Sequence, residues 1–324
     1  MSMISYNKTY LDTLAHERGF LRDNLEKVLR LVKILNFMNQ NQLLSKSLVL
    51  KGGTAINLTI FELPRLSVDI DLDYNMNIGR DEMLNERGNV NSLIFRYMTS
   101  EGYSLKPTSK SPHSLDSWVF GYTNAGNNLD NIKIEINYSA RCHVLPTLKK
   151  AITIDFLGDV KVNVLDPVEL FASKINALVN RGAMRDIYDV SNMIVKGLFH
   201  NKREMDLLRK IFVFYRAVGS TSSAENVNLH LSSFPMIEAI TYSQVRSQLM
   251  PVLRRGDKFD YVEAKNRILS FMRELVKFSE EELAFIQLFN KREYKPEVLF
   301  GFGEISNRII NHPMALWKCR PANK

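Results

Sequence analysis

Residues 65–75, RLSVDIDLDYN, alternate Val68, Ile70 and Leu72 with Asp69, Asp71 and Asp73. A period of two describes a strand with one apolar face and one carboxylate face. Alternate residues on a strand lie roughly 6.5–7 Å apart, so three such anions repel one another unless a cation sits among them. Asp69 and Asp71 suit Mg²⁺, which takes oxygen from one or two carboxylates and keeps waters for substrate phosphates. A solvated edge strand also uses charge against aggregation. Lysine or mixed charge would serve that end at lower cost than three like charges in register.

Three further stretches add complementary chemistry. In VLKGGTAINL (49–58) a buried strand runs into Gly52-Gly53, and a helix is expected from Thr54. Tandem glycines let backbone amides approach an anion, and the helix N-terminus adds its dipole; Thr54 offers a hydroxyl. Taken alone, the same residues make an ordinary strand-to-helix turn. In NIKIEINYSAR (131–141), Ile132, Ile134 and Ile136 alternate with Lys133, Glu135 and Asn137. Glu135 reads equally as a third metal carboxylate, a general base, or half of a cross-strand ion pair. In DPVELFASKINALVNRGAMRDIYDV (166–190), Lys174 and Arg181 share a helix face, and Arg185, Asp186 and Asp189 follow on the next helix. Cations facing a metal site would neutralise a triphosphate and a pyrophosphate leaving group. A salt-bridged helix pair, with Asp186 ordering Lys174 or Arg185 pairing with Asp189, fits that segment better by itself.

The elements that must position these residues follow from periodicity and punctuation. Residues 22–42 form an amphipathic helix and 47–50 a short buried strand, followed by a helix over 54–61. Residues 81–100 are helical. Strands are expected at 103–108, 117–123 and 131–138, the last two joined as a hairpin by the turn-rich TNAGNNLDN. A strand at 159–165 leads into a helix with Asp166 as N-cap, Pro167 in its first turn and Glu169 completing a capping box; Gly182 ends it. Beyond residue 200 the pattern is helical over 203–217, 236–250, 260–278 and 280–291, with a loop at GSTSSAENVN (219–228). FGFGE (300–304) lacks the strand-to-helix context of a phosphate loop. The fold class is therefore α+β, a mixed sheet flanked by helices, with residues 1–198 as one domain and a basic helical domain at 199–324.

Composition narrows the partners. The chain has 324 residues, 45% of them hydrophobic, enough for a real core. Its net charge of +8 is uneven: residues 1–195 hold 22 Lys+Arg against 21 Asp+Glu, and residues 196–324 hold 21 against 14. A basic C-terminal part suits a polyanion such as RNA or DNA, and a merely basic helical surface equally well. Cys142 and Cys319 make neither a disulfide framework nor a zinc spacing. With no membrane-length apolar run and no secretory signal, the expected location is the cytoplasm.

The order of the four stretches, a Gly-Gly turn, a D-x-D strand, a later carboxylate strand and a basic helix, resembles the nucleotidyltransferase superfamily. Within it the chain is similar to the AbiEii/AbiGii toxin family, which includes the MenT toxins, through LKGGTAINL, RLSVDIDL, IKIEINY and KINALVNRGAMRDIYD over roughly residues 45–195. The resemblance implies a polymerase-beta-like nucleotidyltransferase fold and a toxin of a toxin–antitoxin or phage-defence system. It further implies transfer of a nucleotide from an NTP to the 3′ end of RNA, with tRNA the expected acceptor, and a cognate antitoxin as partner. Gly52, Gly53 and Thr54 would then cradle phosphates. Asp69 and Asp71 would hold Mg²⁺ in a two-metal site, with Glu135, chosen from the strand pattern and not from the family, as third carboxylate. Lys174 would contact the triphosphate and, with Asp186 at the family's acidic position, belong to the catalytic set; Ser67, Arg181 and Arg185 would bind nucleotide, and Arg65 and Ser67 would brace the loop. A protein hydroxyl or small molecule as acceptor, or a non-catalytic NTP-binding toxin, stay open.

Overall fold

The computed structural model describes residues 6–219, 227 and 233–320; most of the loop expected at 219–228 lies outside them. Two compact units are present. One comprises residues 1–141, 147–165 and 249–258, the other 142–146, 166–248 and 259–324.

The first unit holds helices α1 (Lys8–Arg18), α2 (Arg22–Gln40), α3 (Gln42–Ser47), α4 (Gly52–Thr59) and α5 (Arg80–Ser100). Its strands are β1 (Leu48–Leu50), β2 (Asp69–Tyr74), β3 (Ser104–Leu105), β4 (Leu115–Thr123), β5 (Leu129–Asn137), β6 (Leu148–Ile152) and β7 (Val160–Val164). They form one mixed seven-stranded sheet in the order β3-β4-β5-β2-β1-β7-β6, with the aspartate strand β2 in the middle. β2 runs antiparallel to β1 and parallel to β5, with Ile70 opposite Ile134, Asp71 opposite Glu135 and Leu72 opposite Ile136. Residues in register point to the same side, so one face is Ile70, Leu72, Ile134, Ile136 and Trp118, all buried. Phe95 of α5 packs on Trp118 and Phe120, and Tyr97 stacks on Phe37 of α2, so both helices cover that face. Arg87 of α5 closes it over Asp116, which is fully buried and bound at 2.6 and 3.0 Å. The opposite face carries Asp69, Asp71, Lys133 and Glu135.

The β4–β5 hairpin forms as its turn residues require: the Asn124 side chain accepts from the Gly126 and Asn128 amides. β3 is only two residues long, against the six expected at 103–108. α1 and β6 were not anticipated. β6 (LKKAI) pairs only with β7 at the sheet edge, where lysines are tolerated and alternation is weak.

The second unit is helical: α6 (Pro167–Arg181), α7 (Met184–Val195), α8 (Lys202–Val218), α9 (Pro235–Glu238), α10 (Tyr242–Gln244), α11 (Tyr261–Leu275), α12 (Glu280–Asn290), α13 (Pro296–Phe300), α14 (Glu304–Ile309) and α15 (Pro313–Lys318). α6 buries Phe171, Ile175 and Leu178, and packs on α8, which buries Ile211, Phe212 and Phe214. The helix expected at 236–250 is broken. Thr241 starts a new turn with a capping box to Gln244, and a wide turn over Val245–Leu249 runs into Pro251. The capping box expected at α6 is corrected as well. Asp166 caps the Val168 amide at 2.8 Å, but Glu169 turns inward and is fully buried. Among the described residues no helix is long and apolar enough to cross a membrane.

Candidate active site

β1 ends at Leu50 and the chain enters α4 through Lys51, Gly52 and Gly53. Lys51 ties this junction to β2 twice. Its amide donates to the Asp71 carbonyl at 2.9 Å, and its ammonium pairs with Asp73. Gly52 adopts φ +70, and a Cβ placed on it would overlap the Asp71 carboxylate. A Cβ on Gly53 would meet the Arg65 guanidinium at 2.8 Å and the Ser67 hydroxyl at 3.1 Å. The two glycines thus let a helix N-terminus sit directly against the carboxylate strand. First-turn amides of a helix have no intrahelical carbonyl to bond, so this junction presents N–H groups beside Asp71.

Arg65 and Ser67 support the turn from below. Arg65 is 1% exposed and donates to the Leu66 carbonyl at 3.0 Å, while its backbone bridges to Leu253. Thr54 differs from expectation. It is fully buried, its hydroxyl donates to the Asp69 carbonyl at 2.5 Å, and it lies 2.9 Å from the Ser67 hydroxyl. Both hydroxyls are engaged inside the fold, where Thr54 and Ser67 hold β2 in place.

The three aspartates are unequal. Asp73 is 5% exposed and is the partner of Lys51. Asp69 and Asp71 are partly exposed on the open face of β2. Glu135 stands in register with Asp71, but its carboxylate accepts from Ser117 at 2.9 Å and pairs with Lys133 at 3.0 Å. Among the described residues no three His, Cys, Asp or Glu side chains converge on one point. Two exposed carboxylates at i and i+2, without a closed cage, are the donor set for a cation that completes its shell with water and phosphate. Asp69 and Asp71 fit Mg²⁺ in that sense; in Glu135 both partners sit on Oε1.

The second cluster lies in the helical unit. Lys174 of α6 is 7% exposed, with its ammonium 3.0 Å from Asp186 and 3.1 Å from Asp189 of α7. Arg181, at the end of α6, reaches the same Asp186 at 2.8 and 3.2 Å while most of its side chain stays exposed. Burial alone would raise the Asp186 carboxyl; Lys174 and Arg181 outweigh it and hold the group below the usual carboxylate range. Lys174, expected to touch a triphosphate, instead ties α6 to α7 between two carboxylates. Arg181 presents the accessible guanidinium, and Arg185 is half-buried on α7.

Lys51 escaped the sequence reading, and Asp189 entered it only as a partner for Arg185. Lys51 precedes the Gly-Gly pair and reads as a loop cation; its only signal was a third aspartate at the same strand period. Asp189 shares a face with Asp186 three residues earlier, the spacing that lets both meet Lys174.

A seven-stranded mixed sheet with a glycine turn against a D-x-D strand, followed by helices, defines a nucleotidyltransferase-type protein. Among solved structures it matches MenT4, a nucleotidyltransferase toxin from Mycobacterium tuberculosis H37Rv, with a TM-score of 0.64 and 14% identity over 98% of this chain and 100% of that one. The sequence profile of the nucleotidyl transferase AbiEii toxin family, type IV toxin–antitoxin system, matches residues 36–265. The chain belongs to this AbiEii nucleotidyltransferase toxin family. No curated protein matches significantly. Membership of a toxin–antitoxin family implies a nucleotide substrate and an antitoxin partner.

Proposed function

We propose that this protein transfers a nucleotide from a nucleoside triphosphate to the 3′ end of an RNA, tRNA in the first place, and so blocks translation. The observation that carries this reading is the seating of Gly52 against Asp71, which joins a phosphate-binding helix start to a carboxylate pair. Asp69 and Asp71 hold Mg²⁺. When bound, Mg²⁺ supplies positive charge to offset the triphosphate and the developing negative charge. The first-turn amides of α4 take phosphate oxygens and orient the α-phosphorus. The RNA 3′-hydroxyl forms a bond to that phosphorus as the bond to the bridging oxygen breaks; its proton is lost to solvent and pyrophosphate departs. Within the helical unit, Arg181, exposed at the end of α6, and Arg185 of α7 offer positive charge suited to an anionic ligand. Lys174 keeps Asp186 in place, and Asp186 in turn orients Arg181. The excess of cations in residues 196–324 favours an RNA acceptor over a protein hydroxyl or a small molecule.

The test is to incubate the purified protein with each labelled NTP, Mg²⁺ and total cellular RNA. Label should appear at RNA 3′ ends, vanish with a chelator and vanish with Asp71→Asn. Label on protein instead, or bound NTP with no transfer, would overturn the RNA reading.

A further inference from the structure

In the helical unit the first turns of α8 and the α13–α14 corner enclose a groove of about 530 Å³. Lys202, Arg203 and Lys210 line it with three cations, and Phe300 and Ile305 give it an apolar floor. An adjoining groove of about 450 Å³ shares Asp206, Lys210 and Phe300, reaches Gly301, and adds the carboxylates Glu281 and Glu297, so the cations dominate only at the α8 end. Asp206, a carboxylate on the same helix, is answered by Arg209 at 2.8 Å. Lys202 and Arg203 make no ion pair among the described residues, while Lys210 lies within charge reach of Glu281.

The stretch FGFGE, whose Phe300 and Gly301 line these grooves, raises an aromatic ring into solvent. Phe302 is 95% exposed, more than any other large apolar side chain among the described residues. The turn beneath it is built. The Gly301 amide donates to the Glu297 carbonyl at 2.9 Å, the Ser306 hydroxyl donates to the Gly301 carbonyl, and Gly301 adopts φ +73. An exposed ring on an anchored turn, two residues from Phe300 of a groove in which Lys202 and Arg203 make no ion pair, is the pairing that unpaired nucleic acid uses: bases stack on the ring and phosphates release counterions to the cations. A membrane surface would call for a broader apolar face.

We propose that this groove binds an unpaired segment of the RNA acceptor, with Phe302 stacking on a base and Lys202, Arg203 and Lys210 taking backbone phosphates. The proposal rests on the RNA reading above and names where that RNA is gripped.

The test measures binding of a labelled single-stranded oligouridylate to the full chain by anisotropy, without NTP, across a salt series. Phe302→Ala should weaken binding on the order of tenfold, and Phe302→Trp should restore it. Because the ring is exposed, the melting temperature should not move. Lys202→Ala combined with Arg203→Ala should reduce the slope of log affinity against log salt by about 1.4. Unchanged affinity in Phe302→Ala with an unchanged slope in the double variant overturns the proposal. So does a result in which Phe302→Ala weakens binding of the purified antitoxin but not of oligouridylate. Asp71→Asn separates the two readings, since it should stop label transfer and leave oligouridylate binding intact. If no RNA is ever labelled yet binding still depends on Phe302, the transfer reading falls and the groove stands. If RNA is labelled and binding ignores Phe302, only the groove falls.

Discussion

Gly52 is packed so tightly against Asp71 that any side chain at position 52 would occupy the space of the Asp71 carboxylate. The contact joins the two halves of the nucleotidyltransferase signature physically. A glycine is required there because of Asp71, and Asp71 is presented by a strand whose neighbour, β1, leads through Lys51 into that glycine. The backbone adds its own demand, since φ +70 at Gly52 is a left-handed conformation that disfavours a Cβ.

Gly52→Ala should therefore cost more than Gly53→Ala. At position 52 the left-handed backbone costs about 1–2 kcal/mol, and the overlap displaces Asp71 itself. At position 53 no left-handed backbone is required, and the Cβ meets the Arg65 guanidinium and the Ser67 hydroxyl, not the Asp71 carboxylate. Label transfer should fall on the order of a thousandfold in Gly52→Ala and about tenfold in Gly53→Ala. Transfer assays paired with thermal melts would check the order; equal losses would remove the special role of Gly52.

The four carboxylates of the open face should respond in grades. Asp69→Asn and Asp71→Asn should abolish transfer with little loss of stability, because both are partly exposed. Asp73→Asn leaves Lys51 without its carboxylate and should cost about 1–2 kcal/mol, while transfer stays within tenfold. Glu135→Gln should also keep transfer within tenfold, since Ser117 and Lys133 already engage that carboxylate. A loss in Glu135→Gln as deep as in Asp71→Asn would make Glu135 the third catalytic carboxylate.

Much of this was legible from local pattern. The alternation of Ile70 and Leu72 with the aspartates gave the sheet its buried and open faces, and β4, β5 and β7 lie within two residues of their expected bounds. What was hidden depends on distant partners. Glu169 has the spacing of a capping box, but its actual partners, Val144, Leu145 and Tyr215, lie 25, 24 and 46 residues away. Ile237, Ile240, Val245 and Leu249 are all buried, so apolar spacing ran on through a break that Thr241 makes by hydrogen bonding. Thr54 looked like a phosphate ligand because type and position suited one; only packing shows its hydroxyl spent on Asp69 and Ser67.

The Lys174 cluster predicts a sensitivity to acid. The Asp186 carboxyl is held below its ordinary range in the folded chain, so its contribution to stability is complete above the unfolded value of about 3.9. That contribution is lost as pH falls through the depressed folded value. Stability followed by circular dichroism should therefore drop below about pH 4, and Asp186→Asn should be less stable at neutral pH with a shallower acid loss. Lys174→Met takes away the ammonium that the buried Asp186 and Asp189 share, while Arg181 stays on Asp186, and should cost about 3 kcal/mol at pH 7. A neutral effect of Lys174→Met on melting would show that the ammonium is not a structural tie.

Glu169 offers a last, independent check inside the helical unit. Its carboxylate is fully buried and accepts from the Val144 and Leu145 amides, each at 2.8 Å, and from the Tyr215 hydroxyl at 2.6 Å, with His143 beside it. Burial would raise this carboxyl, but His143, Tyr215 and the backbone donors outweigh it and hold it low. Every partner is a donor, so the site needs a pure acceptor. Glu169→Gln places an NH₂ group among donors and should cost about 3 kcal/mol or more, whereas Tyr215→Phe removes one bond and should cost about 1.5–3 kcal/mol. Hydrogen exchange reads the same network directly: the Val144 and Leu145 amides should lose protection in Glu169→Gln and keep most of it in Tyr215→Phe. Equal protection in both variants would mean that segment 142–146 is held by packing alone.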